Sequence, residues 1–177
     1  MVHMKKDLRA KKSAQLLLEG LISCMKRAES FDEIHVLDVV EESGVSRATF
    51  YRNFDTLIDL LVWWCEELFR TLANEWQNRP VHDEMPLSAY VLAGCMKAEN
   101  ADLLEALYRQ KRTDVIYESF RAGLGPVFAD ADPGDLPLMA GLFTGTLQAW
   151  FQGGRNASVQ EILERVSAFG RRLEEMP

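Results

Sequence analysis

Cysteine is scarce in this chain. Cys24, Cys65 and Cys95 are the three among 177 residues, odd in number, far apart and without a CxxC or CxxH pair. That pattern argues against a disulfide framework or a cysteine-based zinc site and fits a reducing, cytoplasmic setting. The histidines are His3, His35 and His82, and they lack metal-ligand spacing. No Ser/His/Asp order, paired catalytic carboxylates or phosphate-cradling glycine loop stands out, so no catalytic residue, metal or cofactor is expected. Six prolines and eleven glycines are too few for a fibrous or low-complexity chain. The N-terminus is charged and lacks an apolar stretch, so no cleavable secretion signal is expected. The longest uncharged run, Leu136 to Gly154, covers 19 residues, close to the roughly 18 that a spanning helix needs. It contains Pro137, Thr144, Thr146, Gln148 and Gln152, which are costly in hydrocarbon, so it reads as a helix buried against protein and no membrane partner is expected.

What is present is ordinary globular material, with 47% hydrophobic and 27% charged residues. The net charge of −7 argues against a nucleic-acid partner until its distribution is considered. Residues 1–54 carry nine Lys+Arg against eight Asp+Glu, whereas residues 55–177 carry eleven against nineteen. Lys5, Lys6, Arg9, Lys11 and Lys12 face only Asp7 in the first dozen residues. A basic arm ahead of an acidic body points to a DNA-facing end, although a solubilising arm would look the same.

Helical periodicity dominates, and no segment keeps the alternation of a strand. Ala14, Leu17, Leu18, Leu21, Ile22 and Met25 mark the apolar face of a first helix. Val36, Val39 and Val40 mark a short second helix ending near Gly44, and Ser46 caps a third with Phe50 and Phe54 on its inner side. A long helix opens at Asp55 or Thr56 and runs towards Trp76, and Arg79 to Pro86 reads as a linker. Further helices are expected at about 87–98, 102–112, 114–123 and 135–152, the last stopped by Gly153–Gly154. Ser158 and Glu161 form a capping box that opens the final helix, to about 173. The fold class is all-α, with a head over residues 1–54 and a helical body over 55–177.

The stretch Ile34 to Phe54, IHVLDVVEESGVSRATFYRNF, has the form of a helix-turn-helix whose second helix enters the major groove. Packing of Val36, Val39, Val45, Phe50 and Phe54 inward leaves Arg47, Ala48, Thr49, Tyr51 and Arg52 outward. Arginine grips guanine, alanine and threonine methyls pack on the thymine methyl, and Tyr51, Asn53 and the backbone N–H groups beginning at Ser46 reach phosphates. Lys11, Lys12 and His35 complete the expected DNA-binding set.

The run GVSRATFYRNF, preceded by FDEIHVLDVVEES and an amphipathic helix, closely resembles the DNA-binding domain of TetR-type transcriptional regulators over residues 8 to about 62. GLFTGTLQAWFQGGRNASVQEI resembles the C-terminal part of the family's shorter members. Two positions depart from the family pattern. His35 replaces the threonine that starts its second helix and contacts a phosphate, and Leu57 replaces a lysine that reaches the DNA backbone.

Gly141, Gly145, Ala149 and Gly153 recur every fourth residue, a row that admits a close helix neighbour, inside the chain or outside it. The resemblance implies a homodimer through the last two helices, with Leu142, Trp150, Ile162, Val166 and Phe169 added to Gly141, Gly145 and Ala149. It also implies an effector pocket in the body between helices four and eight. The large side chains Trp64, Phe69, Tyr90, Met96, Tyr108, Tyr117, Phe120 and Phe143 are candidate lining, with core packing as the competing role for each. The expected function is a ligand-responsive dimeric repressor that binds a palindromic double-stranded operator through residues 46–53 and an unidentified small molecule through its body. Two other readings remain: a TetR-like adaptor or coactivator acting through a protein partner, and a helical small-molecule-binding protein without regulatory output.

Overall fold

In a computed structural model describing residues 8–80 and 85–174, the apolar stripe of the first helix, α1 (Leu8–Arg27), turns inward: Ala14, Leu17, Leu21 and Met25 are fully buried. Burying such a stripe requires neighbours. α2 (Val36–Ser43) and α3 (Arg47–Asn53) supply them on one side and α4 (Leu57–Gln77) on the other. A single 3-10 turn, Phe31–Glu33, capped by Ser30, joins α1 to α2. The approach of α1 to α2 is close because Gly20 has no side chain. A Cβ there would lie 2.9 Å from the Val39 carbonyl oxygen.

The body continues with α5 (Leu87–Met96), α6 (Ala98–Arg109), α7 (Thr113–Leu124), α8 (Asp135–Gln152) and α9 (Val159–Glu174), with a 3-10 turn at Gly125–Phe128. No β-strand occurs among the described residues, and no described helix is long and apolar enough to cross a membrane. The fold is all-α.

One boundary differs from the sequence pattern. The break between α5 and α6 falls on the single residue Lys97, whose extended backbone (φ −60°, ψ 137°) ends one helix and starts the next. No glycine or proline marks it. Asn100 Nδ2 makes it possible by donating to the Gly94 carbonyl at 2.8 Å, satisfying an acceptor that the end of α5 leaves open. His3, Lys5, Lys6, Asp7 and His82 lie outside the described residues.

α4 is shared between head and body. Its N-terminus is capped reciprocally by Thr56 and Asp59, with Thr56 N–H donating to the carboxylate at 2.9 Å and Asp59 N–H to Thr56 Oγ1 at 3.2 Å. Near that end Trp63 stacks against Phe54 of the head, with ring centroids 6.1 Å apart. Further along, α4 packs on α7 in the most extensive helix pair of the fold. Gly123 sets that distance. A Cβ on it would sit 2.6 Å from Phe69 Cβ and 3.2 Å from both Arg70 N and Glu66 O. Because two of these atoms are α4 backbone, the clash cannot be relieved by a rotamer change.

Gly123→Ala is therefore expected to lower the unfolding free energy by about 1–2 kcal/mol, overpacking of roughly 1–3 outweighing the helix gain of roughly 0.5–1. Gly125→Ala, whose Cβ meets only Leu136 at 3.7 Å, is the control and stays within about 0.5 kcal/mol. Urea unfolding of both variants checks the claim. Equal stability of the two would contradict it.

Candidate functional site

The head is built to hold one short helix at a fixed angle. α2 ends where Gly44 takes the left-handed conformation (φ 66°), and Ser43 Oγ accepts from the Val45 N–H at 3.3 Å across the turn. Ser46 then caps α3, its hydroxyl oxygen accepting from Thr49 N–H at 3.2 Å. Seven residues are too few for a helix to persist alone. Phe50 and Phe54, both fully buried, anchor it from the inner side.

The outer side is left to Arg47, Ala48, Tyr51 and Arg52, all exposed. The Arg47 guanidinium lies over the Tyr51 ring, 5.4 Å from its centroid, and Tyr51 is held edge-on to Phe50 at 5.2 Å. A rigid core ring thus orients an exposed ring, which in turn steadies an exposed cation. Arg52 donates to Thr49 Oγ1 at 3.4 Å.

His35 is the N-cap residue of α2, and its backbone N–H donates to the Asp38 carboxylate at 2.7 Å. The imidazole is exposed, with Nδ1 3.7 Å from the same carboxylate. Lys12 is exposed. Lys11 is tied to α4 by an ion pair with Glu67 at 3.2 Å.

One sequence expectation needs correction here. Asn53 is 3% exposed, and its amide donates to the Thr49 carbonyl at 2.9 Å, so it lies inside the helix turn and not on the outer face of α3, away from the expected phosphate contact. Thr49 is half-buried, with its hydroxyl shared between Ser46 and Arg52. Leu57 is buried in the core, so the position that departs from the family lysine serves packing.

Several adjoining spaces open in the body, among them a shallow one of about 570 Å³ where the start of α5 faces α9, lined in part by Glu164 and Arg171. An open groove of about 670 Å³ runs between α8 and α9. All eight residues expected at a dimer face line it: Gly141, Leu142, Gly145, Ala149 and Trp150 from α8, Ile162, Val166 and Phe169 from α9. Trp150 and Ile162 are already largely buried and form its floor, with Trp150 Nε1 donating to the Ala157 carbonyl at 3.0 Å. Leu142 and Phe169 stand 53% and 49% exposed. A Cβ added to Gly141, Gly145 or Gly170 would meet nothing within 4 Å. Gly141 and Gly145 are thus not required by packing within the chain, whereas a Cβ on Gly153 would lie 3.3 Å from the Ala149 carbonyl oxygen.

Another space is a cavity of about 410 Å³ between α5, α7, α8 and α9. Of the eight aromatic and methionine candidates, Phe120 and Phe143 line it. Phe69 stands behind them, fully buried, with centroids 5.4 Å from Phe120 and 5.8 Å from Phe143. Trp64, Tyr90, Met96, Tyr108 and Tyr117 lie elsewhere, packed on the core. Tyr108 donates its hydroxyl to the Thr144 carbonyl and Tyr90 to Glu75 at 3.1 Å. The expected lining favoured large rings, whereas the wall is mostly aliphatic: Leu87, Leu92, Leu124, Met139 and Leu163. The signal that could have found it is α5, which is apolar on nearly every side and therefore needs cover all round.

No family model matches the chain, and no curated protein matches it in sequence. Its architecture does have solved counterparts. Lin0861 from Listeria innocua superposes with a TM-score of 0.81 at 16% identity, covering 97% of this chain and 98% of that one. A TetR transcriptional regulator from Streptococcus agalactiae 2603V superposes with a TM-score of 0.60 at 20% identity, covering 93% and 96%. The chain has the TetR-type fold.

Within that fold the three cysteines are buried, and burial pushes the Cys24, Cys65 and Cys95 thiols up, away from the reactive thiolate. No group of three or more potential metal ligands occurs among the described residues.

The angle of α2 on α1 is held at the surface by Arg27, whose guanidinium donates to Glu42 at 2.7 Å and holds that carboxyl below its ordinary value. A carboxylate with a depressed folded value stabilises above its unfolded value, about 4.3, and loses that contribution as pH falls through the folded one. Glu42→Gln is thus expected to lower the denaturation midpoint at pH 7, with the gap from the parent narrowing at a second, acidic pH below the usual carboxylate range. Denaturant titrations at both pH values check this, and an equal gap at both would contradict it.

Proposed function

We propose that this chain is a dimeric DNA-binding transcription regulator of the TetR type, a repressor of the cytoplasm that reads a palindromic double-stranded operator and responds to a small molecule. The observation that carries the reading is the exposed face of α3. Arg47, Ala48, Tyr51 and Arg52 project from a helix that is capped by Ser46 and braced by Phe50 and Phe54. Such a helix presents side chains able to read guanine and thymine, and its N-terminal N–H groups favour phosphate. The Streptococcus agalactiae neighbour is itself a transcriptional regulator, which agrees with a regulator and not an enzyme.

The α8–α9 groove supports the dimeric reading. Its open positions at Gly141 and Gly145 and the exposed Leu142 and Phe169 fit a second copy related by a two-fold axis. Two heads in such a dimer address half-sites about one helical turn apart, which is the reason for a palindrome. Ligand response would use α4, because Phe69 touches both cavity-wall rings on one side of a helix whose other end meets the head at Phe54. Ligand and DNA then disfavour each other by equal factors.

The adaptor reading draws support from the phosphate side. Asn53 and Leu57 are turned inward and Lys11 is paired with Glu67, so fewer groups are left to grip the backbone. Each missing phosphate contact flattens the salt dependence of binding by about 0.9 in log–log slope.

For a DNA site recovered by selection, Arg47→Ala is expected to cost about 1–3 kcal/mol of binding free energy if the side chain reads a base, and Tyr51→Phe to weaken binding if the hydroxyl meets phosphate. A Cβ at Gly145 would meet nothing in the chain itself, so Gly145→Leu projects into the groove and should sediment as a folded monomer and lose cooperative operator binding. Anisotropy titrations and sedimentation velocity provide the measurements. Unchanged affinity in Arg47→Ala, or a dimer in Gly145→Leu, would contradict the assigned surfaces.

A further inference from the structure

We propose that the cavity between α5, α7, α8 and α9 binds an uncharged, mainly apolar small molecule. The inference rests on the ligand-responsive reading above and specifies what chemistry that ligand has. The volume, about 410 Å³, falls within the roughly 300–1,000 Å³ of small-molecule sites. Its deep wall is aromatic, with the Phe120 and Phe143 centroids 4.7 Å apart and their planes tilted by 35°. The polar side chains on the wall are three hydroxyls, Ser88, Thr146 and Ser167, and no charged side chain lines it among the described residues.

This composition decides the ligand class. A carboxylate or ammonium entering the cavity would surrender its water without meeting a counter-charge, whereas a neutral molecule loses little and buries apolar surface. Water is also a poor occupant, because a long apolar wall offers it few hydrogen-bond partners. A hydroxyl can donate and accept, so a ligand with one alcohol, ether or carbonyl group finds a partner at Ser88, Thr146 or Ser167.

The way in is at the edge where α5 meets α9. Ser88 and Ser167 are exposed there, while Val91, Leu92, Phe120 and Leu124 at the back are buried. Leu142, Thr146 and Val166 are common to the cavity and to the α8–α9 groove, so the partner proposed above would cover that flank and leave the α5–α9 edge open.

The test uses the full chain, with N-phenyl-1-naphthylamine, a neutral fluorescent probe, and three competitors of equal chain length: decan-1-ol, decanoate and decylammonium. The probe is expected to bind with enhanced fluorescence, decan-1-ol to displace it, and the two ions to compete about tenfold or more weakly. Absence of probe binding, or ions competing as well as the alcohol, would overturn the proposal. Ser88→Trp closes the edge and should abolish probe binding. Ser88→Lys supplies a counter-charge and should strengthen decanoate several-fold relative to decan-1-ol. If Ser88→Trp does not fold, Ser88→Lys decides alone, and an unchanged ratio of the two competitors contradicts the site. DNA binding is read separately. Probe binding without DNA binding overturns the regulator and keeps the cavity, and DNA binding without probe binding does the reverse.

Discussion

The contact between α4 and α7 depends on the absence of one side chain. With hydrogen in place of a methyl at Gly123, α7 comes within van der Waals reach of Phe69 Cβ and of the α4 backbone at Glu66 and Arg70. α4 thereby becomes a shared member of two assemblies, with Trp63 against the head at Phe54 and Phe69 against the body at Phe120 and Phe143. A second tie joins the parts. Gln110, past the end of α6, donates to the Ala28 carbonyl at 3.2 Å, and the Arg112 guanidinium lies 5.6 Å over the Phe31 ring. Close-packed contacts of this kind transmit displacement, because neither side can yield without opening a void.

The α8–α9 groove obeys the opposite rule, since Gly141, Gly145 and Gly170 face open space there. Arg155 secures the turn that precedes α9, pairing with Asp102 at 2.7 Å and with Glu105 of α6 while its guanidinium stacks on Phe151. The turn is fixed, and the groove beyond it keeps its shape without filling itself. One glycine therefore brings two helices together within the chain, while Gly141 and Gly145 leave a groove open. The cavity lies between these regimes, sharing Phe120 and Phe143 with the α4 contact and Leu142, Thr146 and Val166 with the groove.

Much of this was legible in the sequence because local chemistry decided it. Gly44, Ser46 and the Ser158–Glu161 capping box act over three or four residues, and all take the conformations their residue types favour. The inward pair Phe50 and Phe54 follows from helical spacing alone. The break at Lys97 was hidden, since it depends on Asn100 reaching back to Gly94. Asn53 was misread because its amide chose a carbonyl of its own helix over solvent, a choice that spacing does not encode. The cavity wall was mostly missed for a related reason. A ring that fits the core, such as Tyr108 or Trp64, and a ring that borders a hole, such as Phe143, look alike in a sequence. Tertiary packing alone separates them.

The proposed function requires α3 to be a reading helix presented twice by a dimer. The most direct measurement is to incubate the purified protein with fragments of its source genome at near-physiological salt, recover the bound DNA and sequence it. Recovery of one or a few palindromic sites, with half-site centres about one helical turn apart, is the predicted result. Recovery of unrelated fragments alone, with and without cell metabolites, would contradict it and favour a protein partner.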